Sequence, residues 1–449
     1  MPIRSHSPTS FPAMKLGVIS LGCDKATVDS EALIARFVGH GAEVTHALED
    51  ADVILVNTCG FIDAAKQESI DAMLQAATMK KEGRCRAVVA VGCLVTRYKD
   101  ELKHEIPEVD YFYGFGDLPL LLPQLRADGL LDEPVALHPG TRFFFGTKPH
   151  VRYLKISEGC DHTCAFCAIP LMRGKHRSRP LAELVREAQE LEAQGAKEIN
   201  LVAQDLGHYG RDVPGGARLA DLIRTLLRET GVRWYRPLYV YSMGITRELV
   251  ELWASEPRLV PYVDMPIQHA SDRMLQLMRR PERQDTIRTK VAWLRDAVPD
   301  MTIRTTALVG FPTETAADFQ ELLEFADEIQ FDRLGVFAYS PQEGTSAAEL
   351  TDDVPEEMKR DRLEQVTELQ RAVSAERLTR YAGREVEVLV DEGAGPDDPG
   401  QLQGRTAFQA DDVDGCTWLR TGMPVGPGDF VRATVVETLD YDLVARSVQ

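Results

Sequence analysis

With 449 residues, the chain is too long for one ordinary domain, and two or three are expected. A composition of 44% hydrophobic and 27% charged residues is that of a soluble protein whose domains each bury a core. The formal charge of -19 repels a polyanion such as RNA on average and attracts a basic protein, and no run approaches the roughly 18 apolar residues of a membrane helix.

The N-terminal stretch to Met14 lacks the apolar core of a signal peptide and reads as a short disordered lead-in, so the cytoplasm is the expected compartment. Thiols stay reduced there, so eight cysteines point to metal or redox chemistry rather than disulfides. From about Met14 to Leu130 the short apolar runs Leu16–Ser20, Val53–Val56 and Ala87–Val91 alternate with helical patterns such as Ser30–Val38. This predicts an α/β layer with a parallel sheet. A cysteine-bearing turn follows each run, at Cys23, Cys59 and Cys93. Turns after parallel strands gather at one sheet edge, so three cysteines distant in sequence are expected to converge.

Residues 131–149, containing Pro and Gly, form the expected linker. From 150 to 380 strand–helix units repeat. The expected strands are Val151–Ile156, Glu198–Val202, Pro237–Tyr241, Tyr262–Met265, Met301–Val309 and Arg333–Ala338, with an amphipathic helix from Leu181 that stops at Gly195. Six units predict a partial (β/α)6 barrel with its chemistry at the C-terminal strand ends, closed by a long charged helix at 355–381. Residues 383–449 then alternate apolar and polar positions between turns, as a small antiparallel β domain does.

The sharpest motif is Cys160-x-x-x-Cys164-x-x-Cys167, just after the first barrel strand. Three closely spaced thiolates can each take a different iron of one cubane cluster and leave the fourth iron open to another ligand. A structural zinc site wants a fourth ligand, and His162 inside the motif is the candidate for that alternative.

Residues 154–170, LKISEGCDHTCAFCAIP, resemble the radical-SAM signature. In that superfamily the open iron binds S-adenosylmethionine, and the reduced cluster cleaves it to a 5′-deoxyadenosyl radical. The resemblance implies that Phe166 packs on the cluster, although plain core packing explains it equally. It also implies cofactor contacts from Gln204 and Asp205 after the second strand, and from Gly310 and Glu314 after the fifth. Gln268 lies between them. Each of these, taken alone, is also an ordinary turn or cap residue.

With the N-terminal trio and the terminal β domain, nearly the whole chain resembles the radical-SAM methylthiotransferase family. That resemblance implies a second 4Fe–4S cluster on Cys23, Cys59 and Cys93 that handles sulfur, and a terminal TRAM-like domain that recognises substrate. It also implies a one-electron reductant and a sulfur donor. Cys85 and Cys416 match no ligand position and read as structural thiols.

Family substrates divide between adenosines of transfer RNA and an aspartate of small-subunit ribosomal protein twelve. Residues 383–449 carry thirteen acidic and five basic residues with no lysine, which argues against direct RNA binding and for a basic protein partner. The wording of residues 261–281 and 429–447 likewise resembles the ribosomal-protein branch. Three other readings stay open: a transfer-RNA methylthiotransferase, a zinc-stabilised noncatalytic binding protein, and a radical-SAM enzyme that methylates without inserting sulfur. The basic run Arg173–Arg179 reads as a substrate or cofactor contact, an RNA contact or a solvated loop.

Overall fold

The structure, a computed structural model, describes residues 13–134, 141–146, 148–395 and 400–448. Most of the expected lead-in (1–12) and part of the expected linker (135–140 and 147) lie outside the described residues. The chain divides into two compact units, Met1–Phe145 with Leu171–Arg173, and Gly146–Pro170 with Gly174–Gln449.

In the first unit, β1 (Lys15–Ser20), β2 (Glu43–Thr45), β3 (Val53–Thr58), β4 (Ala87–Gly92) and β5 (Tyr111–Tyr113) make one parallel sheet in the order β2-β1-β3-β4-β5. The three predicted runs are β1, β3 and β4, and the two three-residue edge strands were too short to leave a pattern. Every residue of β3 and β4 is buried, because helices cover both faces of the sheet. On one face, α1 (Asp24–Gly39) packs Leu33, Ile34 and Phe37 with Val53, Leu55 and Val89. On the other, α2 (Asp63–Glu82) and α3 (Cys93–Glu105) pack Met73, Leu94 and Val95 with Ile54, Val56 and Val88. Each such side chain contributes roughly 1.5–3 kcal/mol when fully buried.

Two equivalent turns place two of the cysteines. Gly22 and Gly92 have φ of +104° and +103°, a conformation that favours glycine, and each hands the chain to a cysteine at the start of a helix. A Cβ on Gly92 would lie 2.4 Å from Asn57 Oδ1 and 2.6 Å from the Thr58 carbonyl oxygen, so space as well as conformation demands glycine there.

The second unit begins with β6 (Val151–Lys155) and the short antiparallel pair β7 (Ser157–Glu158) and β8 (Arg177–Ser178), which brackets the cysteine loop. Six parallel strands follow the predicted barrel plan as two three-stranded sheets. One has the order β10-β9-β6, with β9 at Glu198–Val202 and β10 at Trp234–Pro237. The other is β11-β12-β13, at Tyr262–Asp264, Thr302–Val309 and Arg333–Ala338. A bridge between Tyr235 and Leu259, and the Val240 N–H donating to the Asp264 carbonyl at 2.8 Å, carry the curve from one sheet to the other.

The third barrel strand corrects the expected Pro237–Tyr241. Pro237, opposite Leu201, ends β10, and a φ of +61° at Tyr239 turns the chain away. Residues 238–241 thereby become the loop at the C-terminal end of the strand.

The terminal segment closes into a five-stranded barrel, β14-β15-β16-β18-β17. Its strands are Glu385–Glu392, Gln401–Thr406, Thr417–Arg420, Phe430–Thr438 and Leu443–Ser447 in chain order. Neighbours are antiparallel except β16 and β18, which run parallel, since a ring of five cannot alternate all round. The second strand of this barrel ends at Thr406. There the Gln409 side chain accepts from the Thr406 N–H at 3.0 Å and the Thr417 hydroxyl at 2.6 Å, and it turns the chain.

Buried ions anchor this barrel to the amino ends of the central strands. Arg405 pairs with Glu198 at 2.8 Å and with Asp391 at 2.7 Å; Arg236 also holds Glu198 at 2.7 Å, and His150 holds Asp391 at 2.9 Å. Glu198 opens β9 opposite Val151, the first residue of β6, whereas the cysteine loop leaves from the other end.

Candidate functional site

The three central cysteines lie on a loop pinned by main-chain bonds. The Cys160 N–H donates to the Gly174 carbonyl at 3.1 Å, the Ala165 N–H to Met278 at 2.9 Å, and the Ala347 N–H to the Ala165 carbonyl at 2.8 Å. Cys160 and Cys164 are buried and Cys167 is partly buried. Burial pushes the Cys160 thiol up to about 11 and the Cys167 thiol up to about 12; the neighbouring thiols add to the shift, while backbone N–H groups at His162 and Ile169 oppose it.

Two side chains reach the sulfur of Cys164. The Tyr241 hydroxyl lies 3.4 Å from Sγ, and the Arg280 Nη1–H donates to it across 3.8 Å. The Arg280 guanidinium stacks 3.9 Å from the Tyr241 ring centre, and the His162 ring stacks on the same tyrosine at 4.2 Å with planes only 4° apart. Arg280 is fully buried; its Nε–H donates to Glu282 at 2.7 Å and its Nη2–H to the Pro266 carbonyl at 2.7 Å.

The donor geometry tests the zinc reading. Two sulfurs on one zinc lie roughly 3.8 Å apart, given a Zn–S bond of about 2.3 Å. Among the described residues, the set of ligand atoms lying within 4.8 Å of one another is His162, Asp205 and His208, and neither cysteine trio meets that limit. His162 Nε2 instead meets the Asp205 carboxylate at 2.8 Å. The wider sulfur spacing suits a cubane, in which each thiolate takes a different iron.

The expected cofactor residues fall into two groups. Gln204 keeps an open acceptor: its amide N–H donates to Glu158 at 3.3 Å, and because a carboxylate only accepts, Oε1 is the other end, buried and without a partner. That orphan fits the amino group of S-adenosylmethionine. Gln268 turns with a φ of +69° and bridges to Ala307. Phe166 packs against Met274, Met278 and Phe311.

Asp205 and Glu314 are committed elsewhere. Asp205 accepts from His162 and from the Gly207 N–H at 2.9 Å. Glu314 holds His269 at 3.0 Å and Arg362 at 2.7 Å, and accepts the Gly310 N–H. These two carboxylates thereby shape the strand-end loops.

In the first unit, Cys23, Cys59 and Cys93 come together as the strand-end argument expects, and their charges act on one another. Burial pushes the Cys93 thiol up to about 11, and Arg173, which donates to it, pulls the other way. Arg173 also holds Asp29 at 2.7 Å and lies 4.2 Å over the Phe115 ring. The basic run is therefore not a plain solvated loop: Arg173 serves the trio, His176 is buried, and Arg179 pairs with Glu187 at 2.7 Å. Cys85 is buried and Cys416 partly so, both free thiols.

Comparison with known proteins agrees along the chain. Residues 15–114 match an uncharacterized protein family, UPF0004, residues 154–326 the radical SAM superfamily, and residues 382–448 the TRAM domain. A ribosomal protein uS12 methylthiotransferase, RimO, of Desulforudis audaxviator is 46% identical over 98% of both chains. One of Anaeromyxobacter sp. strain K is 44% identical, over 97% of this chain and 94% of that protein. Among solved structures, the radical S-adenosylmethionine methyltransferase TsrM of Kitasatospora setae matches 72% of both chains with a TM-score of 0.54 at 14% identity, a likeness of fold alone. Identity of this order over nearly the full length, with all three domains in sequence, means that the chain belongs to the ribosomal protein uS12 methylthiotransferase (RimO) family of radical SAM enzymes.

Proposed function

We propose that the chain adds a methylthio group to the β-carbon of an aspartate in ribosomal protein uS12, in the cytoplasm, with two 4Fe–4S clusters and S-adenosylmethionine. The observation that carries the reading is the pair of separate cysteine trios, each on turns at the C-terminal ends of parallel strands. Residues 14–130 then handle sulfur, 150–380 generate the radical and 383–449 recognise substrate, with 131–149 as the linker. Cys160, Cys164 and Cys167 hold one cluster and Cys23, Cys59 and Cys93 the other. Phe166, Gln204, Gln268 and the Gly310–Glu314 turn line the cofactor site. When bound, the reduced cluster and S-adenosylmethionine supply a radical able to take hydrogen from a carbon that no general base reaches at neutral pH. A one-electron reductant and a sulfur donor complete the reaction.

The chain's own residues do the positioning. The Gln204 amide oxygen accepts the ammonium of the cofactor. His269 and Arg362 fix Glu314, which in turn holds the Gly310 N–H and sets the turn after β12. The terminal barrel sits at the amino ends of the central strands, one five-residue strand or roughly 17 Å from the cysteine loop. A substrate held by both must be a macromolecule.

Charge favours a protein over RNA. Of the five terminal arginines, Arg405 is buried in ion pairs, Arg384 is bound to Asp300 and Arg432 faces Glu385, which leaves Arg420 and Arg446 to meet phosphates. RNA binding draws its affinity from many such contacts.

The test incubates reconstituted enzyme, S-adenosylmethionine and reductant with equal amounts of uS12 and transfer RNA. Mass spectrometry then shows which gains the methylthio group. The expected result is uS12 alone; preferential modification of transfer RNA overturns the substrate assignment.

A further inference from the structure

The three sulfurs of the central trio are not equivalent. Cys160 and Cys167 are met by backbone N–H groups at His162 and Ile169. Among the described residues, Cys164 alone of the three is met by side chains, the Tyr241 hydroxyl at 3.4 Å and the Arg280 Nη1 at 3.8 Å. A thiolate bound to metal has no proton to give, so in the loaded protein both side chains are the donors. Nothing in the packing frees them to do otherwise. Arg280 is fixed by Glu282 and the Pro266 carbonyl, and Tyr241 lies against both the guanidinium and the His162 ring. His162 is in turn locked by Asp205.

We propose that Tyr241 and Arg280 raise the reduction potential of the cluster on Cys160, Cys164 and Cys167 by donating hydrogen bonds to the sulfur of Cys164. The inference rests on the reading of that trio as cluster ligands. Hydrogen bonds to ligand sulfur are among the factors that set cluster potentials, because they stabilise the extra negative charge of the reduced state. A cationic donor does so more strongly than a neutral one, and a buried site screens neither. His162 and Asp205 act as positioning residues that hold the tyrosine ring in place. Arg280 reaches this sulfur from a segment 116 residues away, while Glu282 balances its charge locally.

The test uses the full chain with Cys23, Cys59 and Cys93 replaced by alanine, so that only the central cluster assembles, and follows its reduced signal by electron paramagnetic resonance through a potentiometric titration. Tyr241→Phe keeps the ring and its stacking and removes only the hydroxyl. At the parent's midpoint its oxidised-to-reduced ratio is expected to rise about tenfold, a shift of about 59 mV to lower potential for a one-electron couple. Arg280→Lys keeps a cation beside Glu282 but loses the forked donor, and moves the midpoint the same way. Unchanged midpoints in both variants at full iron content overturn the proposal, as does loss of the cluster from both, which would make these side chains necessary for assembly instead. A parent that binds no iron at all fails the ligand assignment itself and is recognised before any titration.

Discussion

Cys59→Ala is expected to separate two activities that the intact enzyme performs together. Cleavage of S-adenosylmethionine to 5′-deoxyadenosine should persist, because Cys160, Cys164 and Cys167 lie on a loop of the other unit, held by its own main-chain bonds. Methylthio product should fall by at least about 100-fold, since losing even an outer-shell partner of a metal ligand costs about 10–100-fold and Cys59 is proposed as a ligand. The substitution removes one small, half-buried side chain and leaves the Cys59 N–H bonded to the Ser69 hydroxyl at 2.9 Å, so the turn survives. Cys160→Ala is the counterpart and should abolish cleavage. Full methylthiolation by the Cys59→Ala enzyme would contradict a sulfur-handling role for the N-terminal trio.

The largest expected effect on stability lies at the foot of the central barrel. Arg405→Met leaves Glu198 and Asp391 buried with one cationic partner fewer, and breaking a buried ion pair from one side costs about 3–5 kcal/mol. The loss should appear as a clear fall in melting temperature. Its pH dependence has a definite sign. Burial works against both carboxylates, yet Arg236 and Arg405 hold Glu198, and His150 and Arg405 hold Asp391, below the usual carboxylate range. A depressed folded pKa contributes stability that is complete above the ordinary carboxylate pKa and is lost as pH falls through the folded value. The gap between wild type and Arg405→Met should therefore be widest near neutral pH and narrow below about pH 4. An unchanged melting temperature at neutral pH would contradict the anchoring role of the network.

Much of this was legible in the sequence, for identifiable reasons. β9 and β13 lie where their apolar, β-branched runs predict, and the cysteine turns after β1, β3 and β4 meet because parallel strands share a direction. What failed was local: Pro237 read as the start of a strand when it is the end of one, which hid Tyr241 inside a strand instead of at the site. Arg280 was invisible for another reason. Its role depends on a contact across 116 residues, and a sequence shows charge but not the partner that burial gives it. Likewise Asp205 and Glu314 sit at the expected strand ends, yet their carboxylates are taken by His162, His269 and Arg362. The terminal charge count pointed to a protein partner, and with Arg405 buried beside Asp391 and Asp411 the remaining exposed charge of that segment is still net acidic.

Metal content distinguishes two cysteine trios holding two clusters from one trio holding one. Anaerobically reconstituted wild type is compared with the Cys160/Cys164/Cys167 triple alanine variant for iron and sulfide. The expected result is about eight irons falling to about four, with sulfide in parallel, as two separately ligated cubanes require. About four irons falling to none would leave a single radical-SAM cluster and contradict a sulfur-handling cluster on the N-terminal trio, and zinc in place of iron would contradict both clusters.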